Sequence, residues 1–176
     1  MGSLLRRLRE VLKSHEPSLA GEEGELHIRS MKPKDLDAVW AIERASFGSP
    51  WRRSTYEQTI LAPGHNFFVA ELGGVVVGYF GFWVEGPEAH IAKLAVHPDY
   101  RRRGIGTALL HDALDRIRRL GLHSAYLEVR RTNLPAQNLY RRFGFRFARV
   151  KPHAYPNDGE DALIFVRDNL LNPAGQ

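Results

Sequence analysis

Val96-His-Pro-Asp-Tyr-Arg101-Arg-Arg-Gly104-Ile-Gly106-Thr-Ala-Leu-Leu110 is the stretch that decides how this chain is read. An apolar strand ends at its start, a basic corner punctuated by glycine follows, and an amphipathic helix leaves the corner. Gly104 and Gly106 let a ligand approach the backbone with no side chain in the way. The first amides of the helix, around Ile105, Gly106 and Thr107, have no partner within it and offer N–H groups to an anion. Arg101, Arg102 and Arg103 stand beside them. The corner therefore suits a phosphate, although a solvated arginine cluster at a helix start would share the same local pattern.

Outward from the corner, strand and helix signals alternate, which implies an α/β domain of the α+β kind. Leu26 to Ser30 reads as a strand and Pro33 to Ala45 as a helix with Leu36, Val39, Trp40 and Ile42 turned inward. Ser54-x-x-Glu57 has the spacing of a capping box opening a second helix. Phe67 to Leu72 and Val75 to Val84 form a hairpin across Gly73-Gly74. Ala89 to Val96 is the strand that feeds the corner, Gly104 to Leu120 the long helix, and Gly121 its stop. Ser124 to Arg130 is a further strand. Asn133 caps the next helix, with Pro135 in its first turn, and Gly144 ends it. Phe145 to Val150 and Asp161 to Arg167 make a closing hairpin.

Composition sets the outer limits. A chain of 176 residues, 43% hydrophobic and 26% charged, is one soluble domain's worth, with no apolar run near the roughly 18 residues of a membrane span. It has no cysteine, so an acyl-cysteine route and a Cys-based zinc site are both excluded, and the histidines show no metal-ligand spacing; no metal is expected. The net charge of +5 fits an anionic ligand, nucleic acid or a place near the ribosome, and the excess is arginine, the better phosphate fork. Aromatic and basic nucleic-acid motifs are missing, so nucleic acid is not the expected partner. Residues 1–25 read as a basic amphipathic helix, with Leu4, Leu5, Leu8, Val11 and Leu12 on one face, and a linker rich in Gly and Glu. Residues 26–170 are the domain and 171–176 a tail. Neither a signal peptide nor a myristoylation pattern opens the chain, so a cytoplasmic location is expected and no membrane.

Four runs recur in a fixed order: Ile91-Ala-Lys-Leu-Ala-Val96, then Arg101-x-x-Gly104-x-Gly106, then Leu127-Glu128-Val-Arg130-x-x-Asn133, then Leu139-Tyr140-x-x-Phe143-Gly144-Phe145. In order and spacing they resemble the GNAT superfamily of acetyl-CoA-dependent N-acetyltransferases. Ile42-Glu43-Arg44-Ala45, Pro50-Trp51 and Asp158-Gly159-Glu160-Asp161-Ala162 make the chain most similar to the RimI and archaeal Ard1 group of protein N-terminal acetyltransferases. The resemblance spans about residues 26 to 167. It implies a mixed, mostly antiparallel seven-stranded sheet, split by a cofactor fork and flanked by about four helices.

The resemblance also implies roles. Acetyl-CoA would lie with its pyrophosphate on the corner and its pantetheine arm along the backbone of Leu94, Ala95 and Val96, a bulge splaying that strand from Ser124 to Arg130; a backbone N–H near Ala95 or Val96 would face the oxyanion. Read alone, Leu94 to Val96 is plain core strand. Glu128 would accept the proton of the incoming amine, where its bland reading is a carboxylate paired with Arg130 on a polar face. Tyr140, otherwise a core aromatic, would give a proton to the departing thiolate. Asn133 would touch the cofactor as well as cap its helix. Phe47, Trp51 and Tyr155 would line the acceptor, a protein or peptide N-terminus with a ribosomal protein among the candidates. Trp51 can also be read as a seal on its helix, and His90 as a strand residue with a satisfied hydrogen bond. Ala154-Tyr155-Pro156 stands where the family commonly has two adjacent tyrosines, which leaves the accepted first residue open. Other functions compatible with these residues are acetyl transfer to a small-molecule amine or lysine, and a CoA-binding module without turnover.

Overall fold

The computed structural model describes residues 24–172. The amphipathic helix expected near the N-terminus and the last four residues of the tail lie outside them. The described residues form seven strands: β1 (Leu26–Ser30), β2 (Phe67–Leu72), β3 (Val75–Glu85), β4 (Glu88–Val96), β5 (Ser124–Arg130), β6 (Arg146–Lys151) and β7 (Ala162–Arg167). Four helices accompany them: α1 (Leu36–Ser46), α2 (Arg53–Leu61), α3 (Ile105–Arg119) and α4 (Leu134–Arg142). The sheet order is β1-β2-β3-β4-β5-β7-β6, and every neighbouring pair is antiparallel except β4 with β5.

Helices cover both faces of the β1–β4 half. On one side α3 seats Leu109, Leu110, Leu114 and Ile117 in a core cluster with Phe80 and Ile91, and the cluster continues through Tyr140 of α4 to Leu127 and Phe165 of the other half. On the other, α1 and α2 seat Leu36, Val39, Ile42 and Tyr56 against Phe67, Val69, Tyr79 and Ala95. The β5–β7–β6 half differs. Ala125, Leu127 and Val129 are buried toward α3, whereas Tyr126, Glu128 and Arg130 on the opposite face are only half-buried. A cleft of about 440 Å³ opens over that face, lined by residues that include Glu85, Tyr126, Glu128, Lys151 and Ile164.

The turn chemistry read from the sequence holds where glycine is required. Gly73 and Gly74 both have positive φ in the β2–β3 turn, and Gly104, with φ 79°, is the N-cap of α3. Three expectations are corrected. The capping box at Ser54 does not form: α2 starts at Arg53 with Arg52 as N-cap, because Glu57 is engaged by the Arg53 guanidinium instead of reaching back. Trp40 is half-buried rather than inward, its ring carrying the Arg44 guanidinium at 4.6 Å. The His90 side chain has no hydrogen bond among the described residues; its ring stacks on Tyr126 at 4.5 Å and its Nδ1 stays 3.7 Å from Glu85.

Candidate active site

The parallel pairing of β4 and β5 runs from Glu88–Ser124 to Ile91–Leu127 and stops there. Beyond that point β4 keeps its pairing with β3, through Lys93, Leu94, Ala95 and Val96, while β5 keeps its pairing with β7. The two strands part like a fork. The cause is an extra residue: Gly81 pairs with Lys93 but Phe82 pairs with Ile91, so Ala92 bulges from β4 and bends it. The edge of β4 from Lys93 to Val96 is thereby left without a strand partner on the β5 side, and Glu128 is the first residue of β5 beyond the fork.

The phosphate corner sits at the end of that unpaired edge. Arg102 takes φ 61°, a left-handed conformation uncommon outside glycine, and with Gly104 it folds the chain sharply into α3. The three arginines divide. The guanidinium of Arg101 donates to the Val96 carbonyl at 3.0 Å and to the Ser46 hydroxyl at 3.1 Å, so it holds the corner's shape and ties it to α1. Arg103 donates to the Asp99 carbonyl at 3.3 Å and lies over the Tyr100 ring. Arg102 is exposed and has no partner among the described residues. Gly106 is informative for a different reason. A Cβ there would meet only Leu139 at 3.7 Å and Val96 at 3.8 Å, ordinary contacts. Protein packing does not demand a glycine at this first-turn position, where alanine would favour the helix by about 1 kcal/mol. A glycine here leaves the backbone of the first turn open to close approach from outside.

Glu128 is 28% exposed, and its one ion-pair partner among the described residues is Lys151 at 3.0 Å. The expected pairing with Arg130 is replaced, because Arg130 lies 2.7 Å from Glu160 and 2.8 Å from Asp158, with the Tyr155 ring 3.9 Å beneath its guanidinium. Thr132 and Arg130 together hold the Glu160 carboxyl down to about 2. This network fixes the β6–β7 loop against the end of β5. The loop also meets the segment after α1: a Cβ on Gly48 would lie 2.8 Å from Asn157 and 3.5 Å from Arg130. The two segments expected to flank an acceptor are thus in contact. Phe47 and Trp51 are half-buried there, Trp51 stacking on Trp83 at 6.5 Å.

Tyr140 faces the core side of the fork, tilted against Phe145 at 6.0 Å, and its hydroxyl makes no hydrogen bond among the described residues. Burial, with a smaller contribution from Tyr155, pushes its pKa up to about 12. Asn133 caps α4 as expected, accepting from the Ala136 amide at 3.2 Å.

Gln137 escaped the sequence reading, and His90 and Glu43 have surroundings that reading did not give them. Gln137 is buried and donates to the carbonyls of Arg130 and Arg131, clamping β5 to α4. His90 stands on the Glu128 face; burial lowers its pKa against the raising fields of Glu85 and Glu128, so the ring is neutral near pH 7. Glu43 is fully buried: one carboxylate oxygen accepts from the Trp51 amide and Lys93, both at 2.7 Å, and the other from the hydroxyls of Tyr56 and Tyr79. A charged residue in the middle of an amphipathic α1 pattern was the available signal for it.

A parted sheet with a phosphate corner at one end and a half-exposed carboxylate at its apex defines an acyltransferase of the GNAT class. The chain belongs to that family: the model of the Acetyltransferase (GNAT) family matches residues 36–145. It is 34% identical over 141 residues to the ribosomal protein bS18-alanine N-acetyltransferase of Escherichia coli K12, covering 79% of this chain and 95% of that one. To an N-alpha-acetyltransferase of Sulfurisphaera tokodaii it is 34% identical over 155 residues, covering 81% and 92%. Among solved structures, Ard1 of Thermoplasma volcanium superposes with TM-score 0.77 at 28% identity, covering 81% of this chain and 97% of that one. The resemblance to the RimI and Ard1 group is borne out by these relatives.

Proposed function

We propose that this chain transfers the acetyl group of acetyl-CoA to the α-amino group of a protein or peptide N-terminus, by direct attack in a ternary complex. The observation that carries the reading is the parting of β4 from β5 at Ile91 and Leu127, with Glu128 the first residue beyond it. The residues fit the donor: Gly104, Ile105, Gly106 and Thr107 offer α3 amides to the pyrophosphate, Arg102 and Arg103 add charge, and Arg101 keeps the corner shaped. Leu94, Ala95 and Val96 present backbone groups to the pantetheine amides as a missing strand would. Asn133, in the turn that follows β5 and at the start of α4, would add a side-chain contact to the cofactor. Acetyl-CoA supplies an acyl group activated as a thioester.

Glu128 receives the proton of the amine, exchanging Lys151 for the substrate as it does so. The demand on it is modest, since an α-amine of pKa about 7.8 is already about a tenth neutral near pH 7. A lysine side chain at about 10.4 costs about 3.5 kcal/mol more to free. That difference favours the N-terminal acceptor over a lysine. Tyr140 acts chiefly as a hydrogen-bond donor to the sulfur. Burial holds its pKa above the ordinary phenol value, so the hydroxyl stays protonated and able to donate. Much of the remaining rate comes from placement of the two reactants. Relatives named as ribosomal protein bS18-alanine N-acetyltransferases support a ribosomal protein as acceptor.

The test uses peptides with alanine and other first residues, each with an internal lysine, free or blocked at the N-terminus, with mass spectrometry locating the product. Acetylation at the free α-amine at least about a hundredfold faster than at lysine in the blocked peptide, at pH 7.5, is expected from the pKa gap. Acetyl found mainly on lysine would overturn the N-terminal assignment.

A further inference from the structure

Lys93 is the residue of the fork that neither the donor nor the acceptor reading uses. Its side chain is 9% exposed, and its ammonium lies 2.7 Å from the Glu43 carboxylate. The same ammonium stands 4.1 Å from the centre of the Phe47 ring and 4.7 Å from that of Trp51. Burying an ammonium is costly, and an apolar side chain of like volume beside a neutral residue 43 would fill the space without that cost. Stability of the core therefore gives no reason for a lysine here.

The bulge explains how the side chain comes to point this way. Counting alternately along β4 from His90, residues 92 and 94 would face α1. With Ala92 extruded, the alternation shifts, so that Ala95 packs into the α1 and α2 core and Lys93 reaches Glu43. The distortion that opens the fork is thus the distortion that aims Lys93 at the segment between α1 and α2. Glu43 closes the circuit, because the oxygen that accepts from Lys93 also accepts the Trp51 amide. Phe47 and Trp51, four residues apart, are both held by one cation that is the immediate neighbour of Leu94 in the chain.

We propose that Lys93 is a positioning residue: its ammonium clamps the acceptor segment Phe47–Trp51 onto β4, fixing it in register with the strand edge that receives the acyl donor. The inference rests on the acceptor reading above for its kinetic consequence, but the clamp itself is a physical contact and can be measured without turnover. Loss of the cation frees Phe47 and Trp51 to move, which weakens acceptor binding and leaves the donor site in place.

The experiment compares the wild-type full chain with Lys93→Met, Lys93→Arg and the double variant Lys93→Met/Glu43→Gln. Lys93→Met is expected to raise the acceptor KM about tenfold or more while kcat and the acetyl-CoA Kd, measured by calorimetry, change less than about threefold. Limited trypsin digestion should cut after Arg52 faster in Lys93→Met than in the wild type, a readout independent of activity. Lys93→Arg, which keeps a cation over the rings, should recover most of the KM. The double variant removes the uncompensated carboxylate, so it should regain thermal stability without regaining the acceptor KM; it takes the place of Lys93→Met should the latter not fold. An unchanged acceptor KM together with unchanged cleavage at Arg52 would overturn the proposal, as would recovery of both stability and KM in the double variant. Wild-type inactivity on every free N-terminus would instead overturn the acceptor reading, and the cleavage assay would still decide whether Lys93 is a clamp.

Discussion

Glu43 and Glu128 lie on the same side of one sheet and have opposite surroundings. Glu43 stands where helices cover both faces; it is fully buried, and its two oxygens accept from a backbone amide, a lysine and two tyrosines. Burial and the adjacent charge of Glu43 push both phenols, Tyr56 and Tyr79, well above the usual tyrosine range, so they stay protonated as donors. Glu128 stands on the open half, more than a quarter exposed, with half-exposed Lys151 as its ion-pair partner among the described residues. A buried carboxylate must have its acceptor capacity filled by the protein. A carboxylate at an open fork keeps capacity for a substrate. The comparison teaches that the open face of β5–β7–β6, which no helix among the described residues covers, makes the difference between a structural acid and an available one.

The largest effect that could break this contrast is on stability. Glu43→Leu leaves Lys93 buried without its counter-charge and two phenols without an acceptor, and should cost about 3–5 kcal/mol of unfolding free energy. In a chain of this size that is on the order of 10 °C in Tm. Denaturant titration giving a loss under about 1 kcal/mol would mean the closed half does not depend on its carboxylate. Tyr140→Phe comes next. Removing the hydroxyl should lower kcat by about a hundredfold, the low end of the loss when one hydrogen-bond donor to a developing anion is removed, with Tm little changed because the hydroxyl has no hydrogen-bond partner among the described residues. Steady-state kinetics beside a melting curve checks both halves of that statement. Smallest in free energy is Gly106→Ala, which sharpens the same division between what the fold needs and what the ligand needs. It should raise stability by up to about 1 kcal/mol while weakening acetyl-CoA binding about tenfold by calorimetry.

Much of this was legible in the sequence. The strand-to-helix corner, the Gly73-Gly74 hairpin and the Asn133 cap announce themselves through residues whose conformational demands are local. The runs around Glu128 and Tyr140 marked the fork. What stayed hidden depends on register. A bulge at Ala92 leaves no mark in Ile91-Ala-Lys-Leu, yet it decides that Lys93 rather than Ala92 meets Glu43. The partner of Glu128 was misread for the same kind of reason: Arg130 shares its face and is the nearest cation in sequence, but the β6–β7 loop claims Arg130 and β6 supplies Lys151 from across β7. The capping box at Ser54 failed because Arg53, one residue earlier, captured the glutamate that would have completed it.

The central claim is that the open-half carboxylate does chemistry and carries little of the fold. Glu128→Gln, assayed with a free N-terminal peptide at saturating acetyl-CoA across pH 6.5 to 9 and melted in parallel, addresses it most directly. The account predicts a Tm within about 2 °C of wild type, consistent with a half-exposed ion pair worth under about 1 kcal/mol. It also predicts a kcat lower by roughly 10² to 10⁴, with the defect shrinking as pH rises through the amine's pKa near 7.8 and more of the acceptor arrives neutral. A folded variant with kcat within about twofold of wild type at pH 7, or a defect that does not change with pH, would contradict it.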